Sequence, residues 1–165
     1  MVRVGIGLGS NLADPRAQVE RGFAALGRLP RSRLVRRSRL YRSAPWGRTD
    51  QPEFVNAAAL VETALSAREL LAELLAVERA AGRVRDAERW GPRMLDLDLL
   101  TYGDARIAEP GLSVPHPHLA ERAFVLVPLA EIAPDLVVPG RGPVAALLAR
   151  VDGSVCVPFE PEPHA

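Results

Sequence analysis

The chain has no lysine: all 21 of its basic residues are arginine. Without lysine there is no P-loop of the Walker type and no lysine Schiff-base chemistry. Cysteine is nearly absent too. Cys156 stands alone, which excludes an internal disulfide and any zinc site built from several thiolates and fits a reducing cytoplasm. No run of about 18 apolar residues occurs, so no segment is expected to span a membrane. The opening MVRVGIGLGSN lacks the long apolar region and cleavage site of a secretory signal. An excess of one charge sign is missing as well. The formal net charge is +1, leaving no overall basic field of the kind a nucleic-acid binder shows. What remains, at 165 residues with 48% hydrophobic and 25% charged side chains, is the composition of one globular domain with its own core.

Against that background one stretch stands out, Gly82 to Leu100, which reads GRVRDAERWGPRMLDLDLL. Arg83, Arg85, Arg89, Arg93 and Trp90 run into Asp96 and Asp98, which sit in the otherwise apolar run Met94–Leu100. Such a run predicts a buried strand, where a carboxylate is expensive unless something positive meets it. Residues i and i+2 of a strand share a face, roughly 6.6 Å apart. At that separation two carboxylates repel by about 2.5 kcal/mol if the effective dielectric is near 20. A divalent ion removes the repulsion, and two carboxylates completed by substrate phosphates suit Mg2+ better than Ca2+. Asp-x-Asp alone reads first as a structural network with arginines. The arginine-rich loop just before it supplies the other half of a metal–polyphosphate site.

The order of elements reads β-α-β-β-α-β. Val2–Leu8 is a strand and Gly9-Ser10-Asn11 a turn. Asp14-Pro15 is an N-cap with proline at the first helical position, and Val19, Phe23 and Leu26 form the stripe of a helix to about Arg28. A strand follows at Leu34–Tyr41, a loop at Arg42–Pro52 and a strand at Phe54–Thr63. Ser66-Ala67-Arg68-Glu69 is a capping box opening a helix with stripe Leu70, Leu74, Val77 and Ala81, stopped by Gly82. The Asp-x-Asp strand runs to about Tyr102, with a weak strand near Arg106–Ile107. The expected fold class is α+β, a ferredoxin-like βαββαβ sandwich with added C-terminal helices near Ala120–Ile132, where Pro128 would divide the helix, and Pro143–Val151. A single domain is expected over residues 1–158. Residues 159–165 alternate proline and glutamate and are expected to fray.

Four further places carry chemistry-bearing residues. Glu78 lies one turn before the arginine loop, where it serves either a site or an ion pair with Arg83 or Arg85. His116 is held between Pro115 and Pro117, a stiff loop fit for a phosphate donor. Arg122 and Phe124 follow; by default the first is solvated and the second core. On the Phe54–Thr63 strand, Phe54 and Asn56 share a face. A ring beside a carboxamide can grip a flat heterocycle with amide-like edges, since the ring stacks and the amide both donates and accepts. The bland alternative is a core Phe and a turn-facing Asn. Gly7-Leu8-Gly9-Ser10-Asn11 resembles a phosphate-cradling loop but lacks the third glycine and the Walker lysine, and reads as a structural turn.

With these residues assembled, the chain resembles the 6-hydroxymethyl-7,8-dihydropterin pyrophosphokinase family over roughly Val4 to Gly140. The most specific part is Arg89-Trp90-Gly91-Pro92-Arg93-Met94-Leu95-Asp96-Leu97-Asp98-Leu99-Leu100. Gly9-Ser10-Asn11, Tyr41–Asn56, Glu78 with Gly82–Arg85, Val114-Pro115-His116 and Glu121–Leu126 support it. The resemblance implies transfer of the β,γ-diphosphate of ATP to the hydroxymethyl oxygen of a reduced pterin, giving AMP, in folate biosynthesis. It implies that Asp96 and Asp98 hold two Mg2+ ions and that Arg83 and Arg93 act with them in catalysis. Glu78, Arg85, Trp90, Arg93, Leu99, His116 and Arg122 would bind ATP, the co-substrate. Ser43, Ala44, Trp46, Phe54, Asn56, Trp90 and Phe124 would bind the pterin, with Phe54 and Phe124 on its two faces. Pro117, His118 and Leu75 depart from common family versions near the nucleotide, and Trp46 is bulkier than some relatives' residue in the pterin pocket. A cytoplasmic monomer is expected, with no membrane and no nucleic-acid partner.

Two rivals remain at this point. One is a ferredoxin-like nucleic-acid-binding module, supported by the basic stretch Arg28, Arg31, Arg33, Arg36, Arg37, Arg39 and Arg42. The other is a different ATP-dependent transferase on the same site, yielding ADP.

Overall fold

The computed structural model describes residues 1–12, 14–43, 54–82 and 95–159. Strand β1 (Val2–Ser10) leads into helix α1 (Pro15–Leu26), then β2 (Ser32–Arg37), β3 (Tyr41–Ser43), β4 (Phe54–Thr63), α2 (Ala67–Ala80) and β5 (Asp96–Tyr102). The C-terminal part adds β6 (Ile107–Glu109), β7 (Leu112–Val114), a 3-10 turn at Leu119–Glu121, α3 (Ala123–Ile132), β8 (Val137–Val138), β9 (Gly142–Pro143), α4 (Val144–Leu148) and β10 (Val157–Pro158). Both predicted helix starts form. The Asp14 side chain accepts from the Ala17 N–H, and the Ser66–Glu69 capping box closes reciprocally.

The main sheet runs β10-β3-β4-β1-β5, with β2 also paired to β4 and every pairing antiparallel. On one face Val4, Ile6, Leu8, Leu97 and Leu99 pack against Val19, Phe23 and Leu26 of α1 and Leu70 and Leu74 of α2. Gly22 lets α1 sit close, since a Cβ there would lie 2.9 Å from Leu8 Cδ2. On the other face Ala58, Leu60 and Leu100 meet Val125, Leu126 and Leu129 of α3 and Val144 and Leu147 of α4. The result is three layers with the sheet in the middle.

Two expectations need correction. The predicted strand Leu34–Tyr41 is two strands, β2 and β3, broken at 38–40. Ser38 makes the break: its hydroxyl accepts the Ala58 N–H at 2.9 Å while its own N–H donates to Ala58 O. The helix expected from Ala120 begins at Ala123 after the 3-10 turn, and Pro128 lies inside it without dividing it. The carbonyl that Pro128 leaves without an N–H is that of Phe124, in the first turn, where little helix is lost. Of the tail expected to fray, Phe159 is described and its N–H donates to Leu40 O at 3.1 Å; residues 160–165 lie outside the described residues.

Candidate active site

The two aspartates share a face as the i, i+2 spacing requires, both half-buried, and flank Leu97, which is buried on the opposite face. The ladder shows what lies beside them. Tyr41 is the partner of Asn56, Asn56 of Gly9, and Gly9 of Asp96. Directly paired residues of an antiparallel sheet project to the same side, so Tyr41, Asn56, Gly9 and Asp96 form one row across four strands. The next row is Ala58, Gly7 and Asp98. Both rows face the α3 layer.

Between Asn56 and the carboxylates β1 contributes no side chain of its own: the Asn56 amide leans over Gly9 and Leu100 over Gly7. On β1 the alternation Val4-Gly5-Ile6-Gly7-Leu8-Gly9 puts every large side chain against α1 and α2 and every glycine on the α3 side. A Cβ at Gly9 would lie 2.9 Å from Asn56 Nδ2. Two inter-strand steps separate Asn56 from Asp96, roughly 9.5 Å between backbones. The gap is a flat-floored slot with an amide on one side and two carboxylates on the other. The sequence reading ended the strand at Leu8 and took Gly7-Leu8-Gly9-Ser10-Asn11 for a structural turn, whereas β1 continues to Ser10. The signal for a slot was the period of two: glycine alternating with branched side chains marks one bare strand face.

Two aromatic rings lie on elements of this face. Phe54 precedes Asn56 by two residues, on the same face, and is half-buried. Phe124, in the first turn of α3, is 37% exposed and belongs to neither apolar cluster, so the default reading of it as core is overturned. The Arg122 guanidinium lies 5.5 Å from its ring centre. Asn56 is buried, and the Ser43 hydroxyl donates to its Oδ1 at 3.4 Å. Behind this row, Glu131 of α3 accepts from the Tyr41 hydroxyl and, at 3.1 Å each, from the Arg39 N–H and Nε. Burial, then the bond to Glu131, pushes the Tyr41 pKa up to about 12. This clamp fixes α3 on β3 and was invisible in the sequence, since 90 residues separate Tyr41 from Glu131.

The free edge of β5 gathers the remaining residues. Glu78, buried near the end of α2, accepts the Leu97 N–H at 2.7 Å. The Leu99 side chain lies in the α1–α2 core, so only its backbone, two residues on with the same sense as that of Leu97, can meet a ligand. At the end of β5 the ladder shifts between Gly5 and Ile6, a β-bulge, and Leu100 O accepts the His116 N–H at 2.8 Å. His116 Nδ1 accepts the His118 N–H at 3.2 Å. The neutral ring therefore carries its proton on Nε2, a donor. Burial, then the Arg122 and His118 charges, pushes the His116 pKa down to about 4. Ala44, Trp46, Arg83, Arg85, Trp90 and Arg93 lie outside the described residues.

Among the described residues no group of three or more His, Cys, Asp or Glu forms a metal cage. Two carboxylates above a bare glycine floor still fit Mg2+, which takes few protein ligands and fills its remaining positions with water and phosphate oxygens. Within the basic stretch that suggested a nucleic-acid surface, most of the arginines have partners in the fold. Arg31, Arg33, Arg37 and Arg39 pair with Glu69, Glu62, Glu20 and Glu131, and Arg36 donates to Ile132 O.

Comparison with known proteins agrees with this geometry. Residues 5–134 match the 7,8-dihydro-6-hydroxymethylpterin-pyrophosphokinase (HPPK) family. The chain belongs to the HPPK family. It is 52% identical over 147 residues to a 2-amino-4-hydroxy-6-hydroxymethyldihydropteridine pyrophosphokinase of Pseudomonas aeruginosa, covering 89% of this chain and 90% of that protein. A protein of the same name from Methylorubrum extorquens is 48% identical over 154 residues, covering 93% of this chain and 96% of that one. Among solved structures, the fold matches a Plasmodium falciparum HPPK-DHPS crystallised with pteroate, at a TM-score of 0.71 and 12% identity. That match covers 90% of this HPPK-family chain but 44% of the longer one, so the likeness is one of fold over the shared part.

Proposed function

We propose that the chain transfers the β,γ-diphosphate of ATP to the hydroxymethyl oxygen of 6-hydroxymethyl-7,8-dihydropterin, releasing AMP and the pterin diphosphate. The row Asn56–Gly9–Asp96 carries the proposal. It sets a heterocycle-reading amide and a phosphate-side carboxylate pair on one face, with side-chain-free Gly9 between them and the Asn56 amide close above it. In this reading the bicyclic ring lies over Gly9, stacked between Phe54 and Phe124, with its amide-like edge on Asn56 and the backbone near Ser43, Ala44 and Trp46. Its hydroxymethyl arm points toward Asp96 and Asp98.

Mg2+, two ions in this reading, would be held by Asp96 and Asp98 and would neutralise charge on the triphosphate as the bridge to the middle phosphorus breaks. The protein supplies position and positive charge. His116 offers its Nε2–H, and Arg122, at the entry to α3, offers a guanidinium whose fork suits phosphate oxygens. Arg83, Arg85, Arg93 and Trp90 would complete the phosphate side. Glu78 and the Leu99 backbone mark the nucleotide side along the β5 edge. Phosphoryl-type transfers draw most of their acceleration from such positioning and electrostatics. The strand order and the α1, α2 layer support a ferredoxin-like βαββαβ core with two added helices. The reading takes the chain as a single-domain cytoplasmic monomer.

The test is direct. Incubation with MgATP and 6-hydroxymethyl-7,8-dihydropterin is expected to produce AMP in step with pterin diphosphate. ADP in its place would replace this reading with single-phosphoryl transfer, and no nucleotide product would remove it.

A further inference from the structure

The strand that leads into the pterin side of the slot is short and lies second from the edge of the sheet. β3 has three residues, and two of them, Tyr41 and Ser43, serve the Asn56 row. A three-residue strand pairing on one side only is weak, because so few ladder bonds resist fraying. β3 is paired on both sides. Its outer partner comes from the far end of the chain: Val157 opposes Arg42 and Pro158 opposes Tyr41. Pro158 is tolerated there because β10 is the outermost strand. One residue on, the Phe159 N–H donates to Leu40 O, just before β3 begins. The Phe159 ring packs on the α1–α2 core and lies 4.6 Å from the Arg16 guanidinium and 5.9 Å from that of Arg42. One aromatic ring thus ties the start of α1, the middle of β3 and the end of the chain together.

We propose that Phe159 is a positioning residue for pterin binding: it locks β10 onto β3, and β3 in turn holds the Ser43 hydroxyl against the Asn56 amide. Phe159 touches no substrate. Its effect is confined to the pterin side, because the ATP-side groups Glu78, Asp96, Asp98 and His116 sit on or beside β5, which is separated from β3 by β4 and β1. The inference rests on the pterin slot proposed above.

Binding of the pterin in the presence of a non-hydrolysable MgATP analogue, and of the analogue alone, tests it by titration calorimetry on four proteins: the parent, Phe159→Ala, Phe159→Leu and Phe159→Tyr. Phe159→Leu keeps apolar packing without the arginine–ring contacts. Phe159→Ala and Phe159→Leu are expected to weaken the pterin by about three- to tenfold, the scale of one or two such contacts, with the nucleotide affinity unchanged. Phe159→Tyr is expected to bind as the parent does. Equal weakening of both ligands, or unchanged pterin affinity in Phe159→Ala and Phe159→Leu, would overturn the proposal. Failure of the parent itself to bind pterin would overturn the slot instead, so the two failures are distinct.

Discussion

Toward α1 and α2, β1 presents Val4, Ile6 and Leu8, each buried against helix side chains; toward α3 the same strand presents Gly5, Gly7 and Gly9. β5 repeats the division, with Leu97 and Leu99 on the first side and Asp96 and Asp98 on the second. One face spends every position on apolar contact. The other gives up contact along a row and places polar groups at its ends. Neighbouring residues of a strand can therefore answer to different demands, stability on one side and ligand shape on the other, without sharing side chains.

That division can be broken from either side. The largest effect is expected at the carboxylates. Asp96→Asn or Asp98→Asn should lower kcat by about 10²–10³, while the unfolding midpoint stays within a degree or two of the parent. Near-parental turnover at saturating Mg2+ would take the pair out of the site. On the other face, Ile6→Ala should lose about 2–5 kcal/mol in urea unfolding, with the pterin affinity of the folded protein unchanged. A matching loss of affinity would mean that the faces are coupled.

Two smaller tests probe the slot. Gly9→Ala sets a methyl against the Asn56 amide, and Phe124→Ala removes an exposed ring. Each should weaken pterin binding by about 1–3 kcal/mol and leave thermal stability nearly unchanged. A large drop in melting temperature for Phe124→Ala would return that ring to the core. The smallest effect belongs to His116. Its folded pKa of about 4 lies below the ordinary value near 6.5, so between the two the unfolded chain binds more protons. Its contribution to stability is therefore full above about pH 6.5 and is lost as the pH falls toward 4. His116→Gln should flatten that limb in pH-dependent melting curves, and an unchanged slope would show that other groups produce it.

The alternating apolar pattern, the Asp14 cap and the Ser66–Glu69 box were enough to place β1, α1, β4, α2 and β5 in order, because each signal is local. That Asp96 and Asp98 share a strand face was legible for the same reason, since i, i+2 spacing is local. Ser38 broke a predicted strand by bonding a residue 20 positions away, and no local rule marks such a partner. The Glu131 clamp and the β10–β3 pairing are likewise products of the finished fold. The misread Gly7–Gly9 stretch is a different kind of miss. Glycine near a strand end fits a turn as well as a bare strand, and only the ladder decides between them.

A slot formed by absent side chains also has a one-way genetic character. Every substitution at Gly7 or Gly9 adds atoms, so changes there can narrow the floor and none can widen it. Any drift toward a larger or differently shaped heterocycle has to come from the opposite wall, where Phe54 and Phe124 can be trimmed. Inhibitors that press on the floor of the slot would leave the protein no roomier residue to escape to.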